Sequence, residues 1–120
     1  MINVEIPKEI EREMEKKGGF ESIISLISDE DIRRLERLTK TLADEKRLKI
    51  LYALHRQRMC VCMLAELTKC SYSQCSYHIA KLRELNLVQP KNIGNYLIYS
   101  LTPYGRKIVR YFEKLKEVMK

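Results

Sequence analysis

The chain reads as a mainly α protein with a small β-hairpin. Apolar residues recur at helical spacing through most of the 120 residues, capping residues precede the main stripes, and an alternating strand-like run appears from Tyr96 to Leu101. This length supports one domain with an attached piece, read here as a helical arm over residues 1–28 and a main domain over residues 29–120.

Pro7 opens a charged helix over Lys8–Lys17 with Ile10 and Met14 as its only apolar pair, and Gly18-Gly19 stops it. Such a helix buries little. Phe20, Ile23, Ile24 and Ile27 form the next stripe. Ser28 followed by Asp29, Glu30 and Asp31 is a strong helix start, because a capping hydroxyl and three acids meet the positive helix end. Ile32, Leu35, Leu38 and Leu42 line the helix that follows. Asp44 then caps a helix bearing Leu48, Leu51, Tyr52 and His55, and Ile50 and Leu54 widen its stripe. This is expected to be the most buried helix.

Met59–Val61 reads as a brief extended link into two short helices, Cys62–Lys69 and Ser71–Leu85. In the first, Leu64, Ala65 and Leu67 should pack inward. Ser71 can cap the second, with Gln74 reaching back to the cap amide in a reciprocal box. Cys75, Ile79, Leu82 and then Leu85 or Val88 place one face on a core. Ser73, Gln74, Ser76, Tyr77 and Lys81 face outward. These are short polar and aromatic groups suited to base edges, on a helix of about 20 Å that fits lengthwise in a major groove.

Beyond Asn86 the period changes. Leu87–Gln89 leads to Pro90, at a strand end or edge, and Lys91–Asn95 forms a polar turn in which Gly94 can take positive φ. Tyr96–Leu101 completes the hairpin. Thr102-Pro103 opens a closing helix striped by Ile108, Phe112, Leu115 and Met119. A chain this small is not expected to cover both that stripe and the one at Ile32, Leu35 and Leu38, so a two-fold homodimer pairing these helices is the expected solution. The order of helices, two-helix unit, hairpin and closing helix describes a winged helix-turn-helix with flanking dimerisation helices.

Charge supports a polyanionic partner. The net is +7, but residues 1–45 carry 8 Lys/Arg against 12 Asp/Glu and residues 46–120 carry 15 against 4. The positive field thus belongs to the part with the two-helix unit. Four cysteines without an amino-terminal signal pattern suggest free thiols in a reducing cytoplasm. No apolar stretch approaches the roughly 20 residues that span a bilayer, so no membrane partner is expected. No carboxylate pair, phosphate loop or nucleophile–base spacing points to an enzyme.

From about Leu38 to Val109 the residues resemble the ArsR/SmtB family of metalloregulatory repressors. The resemblance rests on Leu42-Ala43-Asp44 with Arg47 and Ile50-Leu51; Met59-Cys60-Val61-Cys62 before Leu64-Ala65-Glu66-Leu67; Ser71, Ser76 and His78 before Leu82-Arg83-Glu84-Leu85 and Leu87-Val88; and Gly94 with Tyr99, Leu101 and Pro103. It implies a homodimer that binds a palindromic operator in double-stranded DNA and leaves it when an inducer binds. The implied contacts are Tyr72, Ser73, Ser76, Tyr77 and His78 on the helix and Asn95 at the hairpin tip. The family's usual Arg at the Asn95 position, and its frequent Arg at Tyr77, are missing. Lys69, Lys81, Arg83 and Lys91 are the cations left to attract phosphates.

Cys60 and Cys62 match the family's sensing motif for arsenic, cadmium or lead, which makes As(III), Cd(II) or Pb(II) the implied inducers. Two thiolates suit such ions, and free amides at a helix start favour the charged form of Cys62. The family's next residue, Asp, is Met63 here. Cys70, Cys75 and His55 are candidates for a third ligand; packing competes for the two cysteines and a helix-end backbone bond for His55. Two further readings stand beside metal release: a thiol redox or sulfur-species sensor on the same fold, and a winged-helix module whose basic face meets an acidic protein.

Overall fold

The structure, a computed structural model, describes residues 4–119; residues 1–3 and 120 lie outside it. Seven helices are present among the described residues: α1 (Lys8–Lys16), α2 (Phe20–Leu26), α3 (Asp29–Leu42), α4 (Glu45–Arg56), α5 (Val61–Thr68), α6 (Tyr72–Glu84) and α7 (Pro103–Val118). Three strands, β1 (Met59–Cys60), β2 (Val88–Ile93) and β3 (Tyr96–Leu101), form one antiparallel sheet in the order β1-β3-β2. The chain divides into two compact units, Met1–Arg37 and Leu38–Lys120, so the division falls inside α3 rather than before it.

In the first unit neither α1 nor α2 buries a residue, as the sparse apolar content of α1 implies. Pro7 is the cap of α1 rather than its first helical residue. The two glycines that end the helix both adopt positive φ. At the start of α3 the Ser28 hydroxyl accepts from the Asp31 amide at 3.2 Å.

The second unit holds the core. Ile50, Leu51 and Leu54 of α4, Leu64 of α5, Cys75, Ile79 and Leu82 of α6, and Leu87, Val88, Leu101 and Val109 form one cluster. The expectation that α4 is the most buried helix is corrected: α5 buries four of its eight residues, α4 three of twelve. The short α5 lies among α4, α6 and the sheet, so less of its length is left to solvent. Leu67 of α5, expected inside, is exposed, while Thr68 is buried with its hydroxyl donating to Leu64 O at 2.7 Å.

The link at Met59–Cys60 is a strand, pairing Met59 with Tyr99 and Cys60 with Ile98. Two residues are too few to show alternation. The hairpin turn is also tighter than the sequence suggests, because Lys91–Ile93 belong to β2 and only Gly94 and Asn95 lie between the paired Ile93 and Tyr96. Gly94 takes φ 60 at the first turn position, which a two-residue hairpin of the right twist requires. Pro90 sits within β2, tolerated because β2 is a sheet edge.

A buried junction joins the hairpin to the closing helix. The Thr102 hydroxyl donates to Asn86 O at 2.6 Å and accepts from the Gly105 amide at 2.9 Å, and the Thr102 amide donates to Leu87 O at 3.0 Å. Gly105 packs so closely that a Cβ there would overlap the Leu87 carbonyl. Gly105→Ala is therefore expected to lower unfolding stability by about 1–3 kcal/mol, the usual cost of overpacking, as read from urea melts. An unchanged midpoint would refute the close approach.

Candidate nucleic-acid interface

The start of α6 is set locally. Ser71 Oγ accepts from the Gln74 amide at 3.1 Å while Gln74 Oε1 accepts from the Ser71 amide at 3.1 Å, completing the expected reciprocal box. The preceding turn reverses the chain through Lys69, the α5 cap, in the left-handed region at φ 57. Cys75, Ile79 and Leu82 then lie fully inside. This rotation leaves Tyr72, Ser73, Gln74 and Tyr77 exposed and Ser76, His78 and Lys81 half-buried. Tyr77 retains 55% of its surface.

The outward face is braced by a residue the sequence reading left out of the site. Arg47, in the first turn of α4, donates from Nε to His78 Nδ1 at 3.0 Å and from Nη1 to Thr41 O at 3.1 Å. Its guanidinium carbon lies 5.8 Å from the Tyr77 ring centre, and Lys81 Nζ lies 5.4 Å from it. His78 meets Tyr77 edge-on at 6.0 Å. Each cation–π contact contributes about 0.5–1 kcal/mol at an exposed site, enough to bias the tyrosine rotamer. Lys81 also approaches Glu84 at 3.7 Å, but Glu84 is exposed, so the pair is worth little and leaves the ammonium usable by a phosphate. The signal for Arg47 was its place one turn after the Asp44 cap; its partner His78 is 31 residues away.

Asp44 Oδ1 accepts from the Arg47 amide at 3.0 Å and so sets the helix that carries the brace. Burial would raise the Asp44 carboxyl pKa, but the Arg47 amide bond, attraction to His78 and Arg47, and the Lys46 amide outweigh it, leaving it below the ordinary carboxylate value. At the hairpin tip Lys91, Asn92, Asn95 and Tyr96 are all exposed, with Asn95 at the second turn position.

Cys60 caps α5 and Cys62 is its second residue, the one half-buried and the other exposed. Through β1, Cys60 also pairs with the wing strand at Ile98. Cys70 is half-buried, with its thiol 3.9 Å from Thr68 O, and Cys75 is enclosed in the core. Burial, with Cys70 nearby, raises the Cys75 thiol against a lowering bond with Thr68. His55 ends α4 with its Nδ1 buried and without a hydrogen-bond partner. Among the described residues no three His, Cys, Asp or Glu side chains gather where a metal could bind, so none of the three candidates completes a cluster with Cys60 and Cys62.

On α7 and α3, Leu115 and Met119 are exposed and Leu38, Ile108 and Phe112 half-buried, and these five line one apolar groove with Leu42, Leu48 and Tyr52. Ile32 and Leu35 lie exposed earlier on α3.

Residues 44–89 match the family model described as bacterial regulatory protein, arsR family. The arsenical resistance operon repressor of Bacillus subtilis is 40% identical over 71 residues, covering 58% of this chain and 68% of that protein. The chain belongs to the ArsR family. The cadmium resistance regulator CadC of Listeria innocua is 38% identical over 61 residues, 50% of this chain and 51% of that protein. The chain thus spans about half to two thirds of the length of these ArsR-family relatives. The crystal structure of NolR from Sinorhizobium fredii superposes with a TM-score of 0.66 at 29% identity, covering 74% of this chain and 93% of that one. As an ArsR-family winged helix-turn-helix, this protein is a DNA-binding transcriptional regulator and not an enzyme. No helix among its described residues is long and apolar enough to cross a membrane.

Asp44→Ala is expected to cost about 0.5–2 kcal/mol near neutral pH through the lost cap. Because the folded carboxyl titrates below its unfolded value, that contribution is complete above the ordinary carboxylate range and lost as pH falls through the lowered value. Urea melts of both proteins at about pH 7 and about pH 3 should show the gap narrowing in acid, and a constant gap would contradict the charge assignment.

Proposed function

We propose that this protein is a cytoplasmic homodimeric repressor that reads a palindromic operator with α6 and is released by a thiophilic ion held at Cys60 and Cys62. The observation that carries the reading is the division of α6 into a fully buried Cys75–Ile79–Leu82 side and an outward side of serines, Gln74 and tyrosines, steadied by Arg47. In this reading Tyr72, Ser73, Gln74, Ser76 and Tyr77 meet base edges, with His78 beside them. Lys81, Lys91 and Asn95 meet the backbone.

The apolar groove of α3, α4 and α7 supports dimerisation. A second copy would cover its exposed leucine and methionine, and Ile32 and Leu35 extend the apolar side of α3. Two-fold symmetry of the protein then implies two-fold symmetry of the site on DNA.

The names of the relatives, an arsenical resistance repressor and a cadmium resistance regulator, support a soft-ion inducer. Two free cysteines on one short segment suit As(III), Cd(II) or Pb(II), which prefer sulfur donors. No third donor is gathered with them among the described residues. Cys60 belongs both to the strand paired with β3 and to the cap of α5, so a change at the thiols bears on the wing and on the support of α6 together. A second reading, in which the same thiols respond to oxidant or sulfur species, rests on both being free and on Cys62 being exposed.

Fluorescence anisotropy against a randomised duplex pool, with sequencing of the bound fraction, should return a palindrome. Affinity should fall with salt at a log–log slope of about −0.9 per phosphate neutralised. Ser76→Ala with Tyr77→Ala should remove about 1–3 kcal/mol of discrimination, whereas Lys91→Gln should weaken all sequences alike. Indifference to sequence at moderate salt would end the operator reading.

Arsenite or cadmium should release the duplex from the native protein but not from Cys60→Ser or Cys62→Ser variants. Release by peroxide alone would favour the redox reading. Retained binding after both treatments would remove each.

A further inference from the structure

We propose that the cleft between the end of α4, the end of β3 and the first turn of α7 binds a small free oxyanion of the phosphate or sulfate class. It has a volume of about 290 Å³ and is lined by His55, Arg56, Arg58, Ser100 and Arg106, with Leu54 and Gln57. No carboxylate lines it, and the three arginines form no ion pair among the described residues. Three exposed arginines and a serine hydroxyl line one recess that has no carboxylate in its wall. Arginine's planar fork matches tetrahedral oxyanions.

Two details set this apart from an ordinary solvated face. His55 and Arg56 end α4, where cations offset the negative helix end, but Arg58 lies beyond the helix and Arg106 stands in the first turns of α7. A cation near a helix start is on the wrong side of the dipole, and α7 has no acid in its first turn to compensate. An anion in the cleft would satisfy both. His55 also lines the cleft, and its Nδ1 is a buried polar atom lacking a hydrogen-bond partner, lying beneath the surface rather than in the cleft wall.

The position favours a free anion over a DNA phosphate. Arg47, which braces α6, is in the first turn of α4, whereas His55 and Arg56 are about 12–14 Å further along that helix at 1.5 Å per residue. Ser100 is likewise about 13 Å along β3 from Tyr96 at the wing tip. Both elements carry the cleft away from the surface assigned to DNA. It is independent of the thiol reading, since Cys60 and Cys62 do not line it.

Isothermal titration of the full chain with sodium phosphate and sodium sulfate, against chloride at matched ionic strength, tests the assignment. The expected result is saturable binding of one oxyanion per chain, weakened roughly tenfold or more by Arg106→Gln and by Arg58→Gln, each the loss of a charge-assisted contact. Lys91→Gln at the wing should leave it unchanged, and circular dichroism should show all three variants folded. Non-saturating heats alike in native and variant proteins would overturn the proposal. So would an Arg106→Gln defect in duplex binding measured without phosphate, with phosphate and duplex competing in the native protein, because the cleft would then be a DNA-backbone contact.

Discussion

The fold's use depends on one helix being held on one side only. Burying Ile79 and Leu82 completely contributes about 1.5–3 kcal/mol apiece, while the Ser71–Gln74 cap contributes about 1 kcal/mol. Packing therefore decides which way α6 is rotated, and the cap decides where it begins. A turn of one residue would carry Ser76 toward the place of Cys75 and bring buried leucine to solvent. The core forbids this, so the serine and tyrosine side has nowhere to face but outward.

Several neighbours of α6 are tied to it by short covalent paths, core packing and part-buried hydrogen bonds. Arg47 links the start of α4 to His78, α5 lies behind α6 through Leu64 and Ala65, and the Thr102 hydroxyl ties the start of α7 to Asn86 just after α6 ends. The cysteine segment enters this arrangement at its narrowest point, where two residues serve as strand and helix cap in succession. Under the proposed sensing role, a ligand there acts on rigid neighbours rather than on a loop that could absorb the change. That is the kind of placement through which a small local shift reaches a distant face.

Local chemistry explains which parts were legible. Ser28, Asp44, Ser71 and Thr102 each cap the helix expected of them, because a cap is satisfied within three residues and owes nothing to the rest of the fold. The α6 stripe was legible for the same reason, as its spacing exceeds any ambiguity of period. Leu67 misled because a leucine on a short amphipathic helix says that some surface is apolar, not that this fold covers it. β1 was legible only as an extended link, since its identity as a strand lies in the hydrogen bonds of β3, some 39 residues later. Pro90 was placed correctly at an edge though not at an end, because only the sheet order reveals which side of β2 lacks a neighbour.

Alone, the order of residues determined the starts of α3, α4, α6 and α7, the hairpin, the buried side of α6 and the uneven charge, all of which arise from interactions spanning a few positions or from simple sums. Tertiary structure decided the rest: that Arg47 steadies His78, that Cys60 belongs to the wing sheet as well as to α5, and that Arg58 and Arg106 share a cleft without a counter-charge. These pairings join residues tens of positions apart. Their partners are chosen by how the core packs, which no local pattern encodes.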